Sequence, residues 1–243
     1  MKLKPYYPHK PIASIEALAT TLGIHSKLLQ DIANKVDDSY TEFLIQSKNG
    51  KDRSVCEPKY ELKKLQKLIN SRILEHVEFP NYLQGGIKDK NSPRDYVENA
   101  RFHAHANQII CIDIKSFYPN IRYKYVVRIF QYFFKFSPEV SEILSKLVTY
   151  KGRVPQGGCT SSYIANLIFY DIEYKLVSEL QRKNIHYSRL LDDITLSTQQ
   201  SFSKEQETLC IQNIARMFRK YDLKIHPDKT RIEHRANPEV DFK

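Results

Sequence analysis

Apolar residues recur along this chain with helical spacing at first. Ile15, Leu18, Ala19 and Leu22 fall three or four apart and predict a short helix that Gly23 stops; Leu28, Leu29, Ile32 and Val36 predict a second. The pattern then changes. Tyr40–Ile45 reads as a strand, and Ser47-Lys48-Asn49-Gly50-Lys51 carries the Asn-Gly pair that marks a hairpin, with residues 53–58 as the return strand. Leu62, Leu65, Leu68, Ile69 and Ile73 predict a helix whose other faces carry Lys63, Lys64, Lys67 and Arg72. Residues 80–92, with Gly85-Gly86, predict a loop-rich stretch.

The central run 108–114 is strongly apolar around Asp113, which suits a strand buried on both faces. An aromatic-rich helix is expected over 123–136, and Ser137-Pro138-Glu139 opens another through an N-cap serine and an N1 proline. Residues 152–158 form a turn in this reading, and 161–180 a long helix. Residues 188–197 read as strand, turn and strand around Asp192-Asp193. A helix follows over 205–221, and Leu223–Ile225 with 229–232 predicts a closing hairpin. Strands and helices in this order define an α+β fold.

Composition narrows the function. The 243 residues contain 38 Lys and Arg against 28 Asp and Glu, a net charge of +10 that favours polyanionic partners. With 28 Tyr and Phe there is enough apolar area for a core. No run of 18 apolar residues is present, so no membrane partner is expected, and Met1–Pro5 is not followed by the apolar stretch of a secretion signal. Cys56, Cys111, Cys159 and Cys210 are widely spaced, which disfavours a zinc site or disulfide framework and fits a cytoplasmic location. The Gly-rich phosphate loops GxxxxGK[ST] and GxGxxG are absent.

Carboxylates stand in apolar surroundings at Cys111-Ile112-Asp113-Ile114 and at Leu190-Leu191-Asp192-Asp193-Ile194. A lone Asp-Asp is usually a solvated hairpin tip. A third aspartate at a strand end shifts the balance, because buried carboxylates are costly unless paired or bound to metal. Three such groups on neighbouring strand ends suit Mg²⁺, and two ions clamp the attacking and leaving oxygens of phosphoryl transfer.

Asp113-Ile114-Lys115-Ser116-Phe117-Tyr118-Pro119-Asn120-Ile121 resembles motif A of reverse transcriptases, and Val154–Ser162 around Gln156-Gly157 resembles motif B. Leu190-Leu191-Asp192-Asp193 takes the place of motif C, with Leu190 where a Tyr is usual. His226-Pro227-Asp228-Lys229-Thr230 resembles motif D, and residues 48–53 resemble the basic fingers hairpin. Asn99-Ala100-Arg101-Phe102-His103 is similar to the Asn-Ala-x-x-His signature of bacterial retron enzymes.

The resemblance implies a right-hand polymerase fold with an antiparallel palm sheet packed on helices. N-terminal helices and fingers would fill 1–107 and the palm 108–243, with interleaving around 122–152. Only fourteen residues follow Lys229, so a thumb is expected to be absent or truncated. Asp113, Asp192 and Asp193 would be catalytic, and with Ile114 they would hold two Mg²⁺ ions, for which Mn²⁺ could substitute. Lys48 and Arg53 would hold the triphosphate, or else be ordinary hairpin charges. Tyr118 would be the steric gate against a 2′-hydroxyl, or a core aromatic. Gln156 and Gly157 would line the nucleotide pocket, with Gln156 as a helix cap the alternative. Lys229 would protonate pyrophosphate, or be a solvated strand residue. Asn99 and His103 would contact RNA, with a structural role the alternative for His103. Implied partners are a structured noncoding RNA serving as template and primer, the DNA product, deoxynucleoside triphosphates and an effector protein, in anti-phage defence. Two other readings remain: a catalytically idle RNA-binding scaffold and an untemplated defence polymerase.

Overall fold

The computed structural model describes residues 2–46, 52–89 and 92–235. Along the chain run α1 (Ile15–Leu22), α2 (Ser26–Asn34), β1 (Tyr40–Gln46), β2 (Asp52–Pro58), α3 (Tyr60–Arg72), β3 (Leu83–Gln84) and α4 (Tyr96–Arg101). Then follow β4 (Gln108–Asp113), α5 (Phe117–Asn120), α6 (Tyr123–Arg128), α7 (Pro138–Leu147) and α8 (Ser161–Leu167). The remainder comprises α9 (Glu173–Gln181), β5 (His186–Leu190), β6 (Asp193–Thr198), α10 (Lys204–Arg219) and β7 (Arg231–His234). The described residues of 1–5, 79–117 and 169–243 form one compact unit, and those of 6–78 and 118–168 form a second. Residues 79–107 therefore share a unit with β4, where the sequence division placed them apart.

Local signals set several boundaries. The Ser14 hydroxyl accepts from the Ala17 N–H at the start of α1, and Gly23 ends that helix with φ 70°. Ser137 caps α7, with Pro138 in its first turn. Ser203 and Gln206 form a reciprocal capping box on α10.

In the second unit β1 and β2 pair antiparallel from Tyr40↔Pro58 to Gln46↔Asp52. The expected Asn-Gly turn between them lies outside the described residues. The expected helix over 123–136 is α-helical to Arg128 and continues as a π-helix over Ile129–Phe133. The Phe134 N–H then bonds the Ile129 carbonyl, five residues back, in a π-turn. This turn belongs to a ring cluster in which Phe134 meets Phe130 and Phe136 at 5.5 and 5.2 Å, and Tyr7 at 4.8 Å. Gln66 is a buried polar hub. Its amide N–H group donates to the Tyr40 hydroxyl and the Leu147 carbonyl, and its oxygen accepts from the Cys159 N–H.

In the first unit the described strands form one sheet in the order β3-β5-β6-β4-β7. The sheet is not purely antiparallel as expected: β3, in the stretch read as loop, pairs parallel with β5. The closing hairpin is also absent. Lys115 donates its N–H to the Lys224 carbonyl and Ile225 bridges Ile114, while β7 pairs with β4 from Gln108↔His234 to Cys111↔Arg231. Both segments thus pair along the line of β4 instead of with each other. The long helix expected over 161–180 breaks after Leu167. The Ile172 and Glu173 N–H groups both turn back to the Phe169 carbonyl. The break places the Phe169 ring among Phe117, Phe218 and Tyr221, at 6.3, 5.7 and 5.2 Å. All four cysteines are free thiols. Among the described residues no helix is long and apolar enough to cross a membrane.

Phe169 is fully buried at the centre of these rings. Phe169→Ala is expected to destabilise the protein by about 3–5 kcal/mol, read as a lowered urea midpoint.

Candidate active site

β4 ends at Asp113 and β6 begins at Asp193, and their antiparallel register sets the two residues opposite each other. The Cβ atoms of such cross-strand partners stand about 4.5–5.5 Å apart. Leu191 and Asp192 form the two-residue tip between β5 and β6, since Leu190 pairs with Asp193. Leu191 is left-handed, with φ 58°. The Asp192 carbonyl accepts from the Ile114 N–H at 3.0 Å, and the Asp113 carbonyl accepts from the His226 N–H at 2.8 Å. The tip and the motif around Lys229 are thereby tied to the same end of β4.

The three carboxylates interact unfavourably. Burial, then repulsion from Asp192 and Asp113, pushes the Asp193 carboxyl up to about 6, although its side chain keeps access to solvent; Lys229 and Arg231 oppose the shift. Lys229 Nζ donates to Asp113 Oδ2 at 2.5 Å, and that bond holds the lysine above its ordinary value. Among the described residues no three His, Cys, Asp or Glu side chains are grouped as a ready cation site. The donor set nonetheless fits a hard divalent ion: carboxylate oxygens crowded at one strand end, whose mutual repulsion a cation relieves. Here the ammonium of Lys229 provides the positive charge. Asp113, Ile114, Asp192, Asp193 and Lys229 are thus brought together.

The remaining expected residues lie elsewhere. His103 is buried, with Nδ1 and Nε2 each 2.7 Å from a hydroxyl, those of Ser197 and Ser188. Burial holds its pKa down to about 4, so the ring is neutral and one serine donates while the other accepts. Its expected RNA contact is corrected accordingly: both ring nitrogens are used inside the fold. Asn99 lies on α4 with its Oδ1 buried and without a partner among the described residues.

In the second unit, Tyr118 is half-buried, 3.5 Å from the Ser162 hydroxyl. The Gln156 carbonyl accepts from the Cys56 N–H at 2.8 Å. Gly157 has φ 110°, and a Cβ there would stand 2.9 Å from both the Cys56 oxygen and Val55 Cγ1. Its close backbone approach is thus to β2. Arg53 is exposed on β2, and Lys48 lies outside the described residues.

Sequence reasoning missed one pair. Arg189 on β5 forms a bidentate pair with Glu173 on α9, Nε–Oε1 2.6 Å and Nη2–Oε2 2.9 Å. The available signal was a lone cation in the apolar run Tyr187–Leu191.

Residues 45–242 match the family described as "Reverse transcriptase (RNA-dependent DNA polymerase)". The chain is 45% identical to the retron Se72 reverse transcriptase of Salmonella heidelberg over 95% of its own length and 60% of the relative's. It is 36% identical to the retron Ec48 reverse transcriptase of Escherichia coli, over 96% of its own length and 59% of the relative's. The chain thus spans about 60% of the length of these relatives. The expected likeness to retron enzymes is found. In fold the chain is similar to an apo telomerase from Candida tropicalis truncated from its C-terminal domain, with TM-score 0.53 and 13% identity, over 88% of this chain and 56% of that one.

The raised Asp193 carboxyl yields a pH prediction. An acid whose folded pKa lies above its unfolded value adds stability fully present below the unfolded value and lost as pH rises through the folded one. The window runs from about 4 to about 6. Asp193→Asn is expected to be more stable than the wild type at pH 7, with the gap closing by pH 4, measured as urea midpoints across that range.

Proposed function

The chain belongs to the reverse transcriptase family, and we propose that it acts as a retron-type RNA-directed DNA polymerase that copies part of a structured noncoding RNA. The observation that carries this reading is the register that sets Asp113 opposite Asp193, with Asp192 at the adjoining tip. Kinship with retron enzymes extends the proposal to anti-phage defence and an effector partner.

Asp113, Asp192 and Asp193 supply carboxylate oxygens, and Ile114 can contribute only its backbone carbonyl. When bound there, two Mg²⁺ ions, or Mn²⁺ in their place, would supply an acidified primer 3′-hydroxyl and charge neutralisation at the α-phosphate. Lys229 already holds a proton beside Asp113. Released from that carboxylate, it is the group to protonate the pyrophosphate leaving group. Lys48 and Arg53 are assigned to the triphosphate, by point charge and fork geometry. Gln156 and Gly157 are assigned to nucleotide binding, and Tyr118 to exclusion of a 2′-hydroxyl. Asn99 keeps its assignment to RNA.

The test is extension of a DNA primer on an RNA template by the 243-residue chain with Mg²⁺ and deoxynucleotides. Asp192→Asn is expected to abolish extension while leaving RNA affinity within about threefold. Extension that survives Asp192→Asn would overturn the assignment, and RNA binding without wild-type extension would favour the scaffold reading. Tyr118→Ala is expected to incorporate ribonucleotides that the wild type rejects, scored on the same template. RNA affinity should fall steeply and linearly in log–log form with salt, from counterion release, measured by fluorescence anisotropy.

A further inference from the structure

Arg189 and Glu173 are the most deeply buried charged pair described, with side-chain exposures of 0% and 2%. Buried charges persist only when paired and hydrogen-bonded. Every group around this guanidinium is in place for that. Both carboxylate oxygens of Glu173 accept from it. Tyr187 donates its hydroxyl to Glu173 Oε1 at 2.6 Å, and the Phe169 ring lies under the guanidinium at 5.3 Å. The Arg189 N–H donates to the Tyr82 carbonyl at 2.8 Å, fixing the backbone as well.

The guanidinium also reaches beyond this pair: Nη1 donates to the carbonyl of Leu191 at 3.1 Å. Leu191 is the residue before Asp192 and holds the left-handed conformation, which disfavours a branched side chain and persists only where neighbours enforce it. Gly85 closes the other side. A Cβ there would stand 2.7 Å from Leu190 Cδ1 and 3.3 Å from Leu191 Cγ. The tip is thus held on its carbonyl by Arg189, flanked at its leucine side chains by Gly85 just after β3, and held at the Asp192 carbonyl by Ile114.

We infer that Arg189, clamped by Glu173, is a positioning residue that holds the Leu191–Asp192 tip in its left-handed turn and so sets where the Asp192 and Asp193 carboxylates stand. A pair that only stapled α9 to the sheet would have no need of the third bond to Leu191. The consequence for synthesis rests on the reading of Asp192 and Asp193 as catalytic; the geometric part stands without it.

Arg189→Lys separates the two roles. The lysine keeps a positive charge for Glu173, but one ammonium cannot reproduce the planar fork and reach the Leu191 carbonyl as well. Amide hydrogen exchange on the 243-residue chain is read at Ile114, whose N–H bonds the tip, against amides within the β4–β6 ladder. The expected result is exchange at Ile114 faster by about tenfold or more, with the ladder amides within about twofold of wild type. Glu173→Gln, which leaves Arg189 uncompensated, is expected to loosen the same site selectively. Uniform acceleration of all these amides, or unchanged exchange at Ile114, would overturn the inference. In primer extension, Arg189→Lys is expected to lower kcat by about 10- to 100-fold with the nucleotide KM within about threefold, the pattern of misplaced reacting groups. Selective loosening at Ile114 with kcat unchanged would leave the clamp established and instead remove Asp192-Asp193 from the chemistry. Synthesis surviving in Asp192→Asn would show that separately.

Discussion

Like charges gathered at one end of a sheet are the constraint on which the first unit turns. Asp113 and Asp193 face each other across two paired strands, and Asp192 adjoins them in the turn. Such a cluster would spread apart if its backbone were free. It is instead tied from three directions: Ile114 to the Asp192 carbonyl, His226 to the Asp113 carbonyl, and Arg189 to the Leu191 carbonyl. The repulsion that remains is expressed in the raised Asp193 carboxyl and in the ammonium of Lys229 resting on Asp113. Lys229 sets an ammonium against carboxylate oxygens of the kind that suit a hard divalent ion.

Several buried polar groups join separate elements inside each unit. His103 bridges Ser188 on β5 and Ser197 on β6, so a neutral imidazole joins the two strands that carry the acidic turn. Glu173 accepts from Tyr187 and Arg189 at once. In the second unit Gln66 joins β1, the end of α7 and the loop before α8. Removing one partner from such a network strands the other in a medium where it cannot be solvated.

What the sequence makes legible is local. The N-cap at Ser137, the stop at Gly23 and the apolar run of β4 read correctly, because each depends on residues a few positions apart. The positions of the motif aspartates at strand ends and at a tip were legible because their neighbours betray the apolar setting. What failed depends on distant partners. The break after Leu167 is bound up with Phe169 packing on Phe218 and Tyr221. β7 left its expected partner because β4 offered a free edge. His103 read as an RNA contact since only the fold shows both ring nitrogens engaged, and the place of Arg189 becomes visible only when α9 brings Glu173 to it.

The central claim is that Asp113, Asp192 and Asp193 together form a divalent-metal centre. Mn²⁺ binding followed by electron paramagnetic resonance on the 243-residue chain tests it most directly. Saturable uptake that weakens by at least about tenfold in Asp192→Asn and in Asp113→Asn is the result expected of carboxylate ligands. Equal uptake by the wild type and both variants would contradict it.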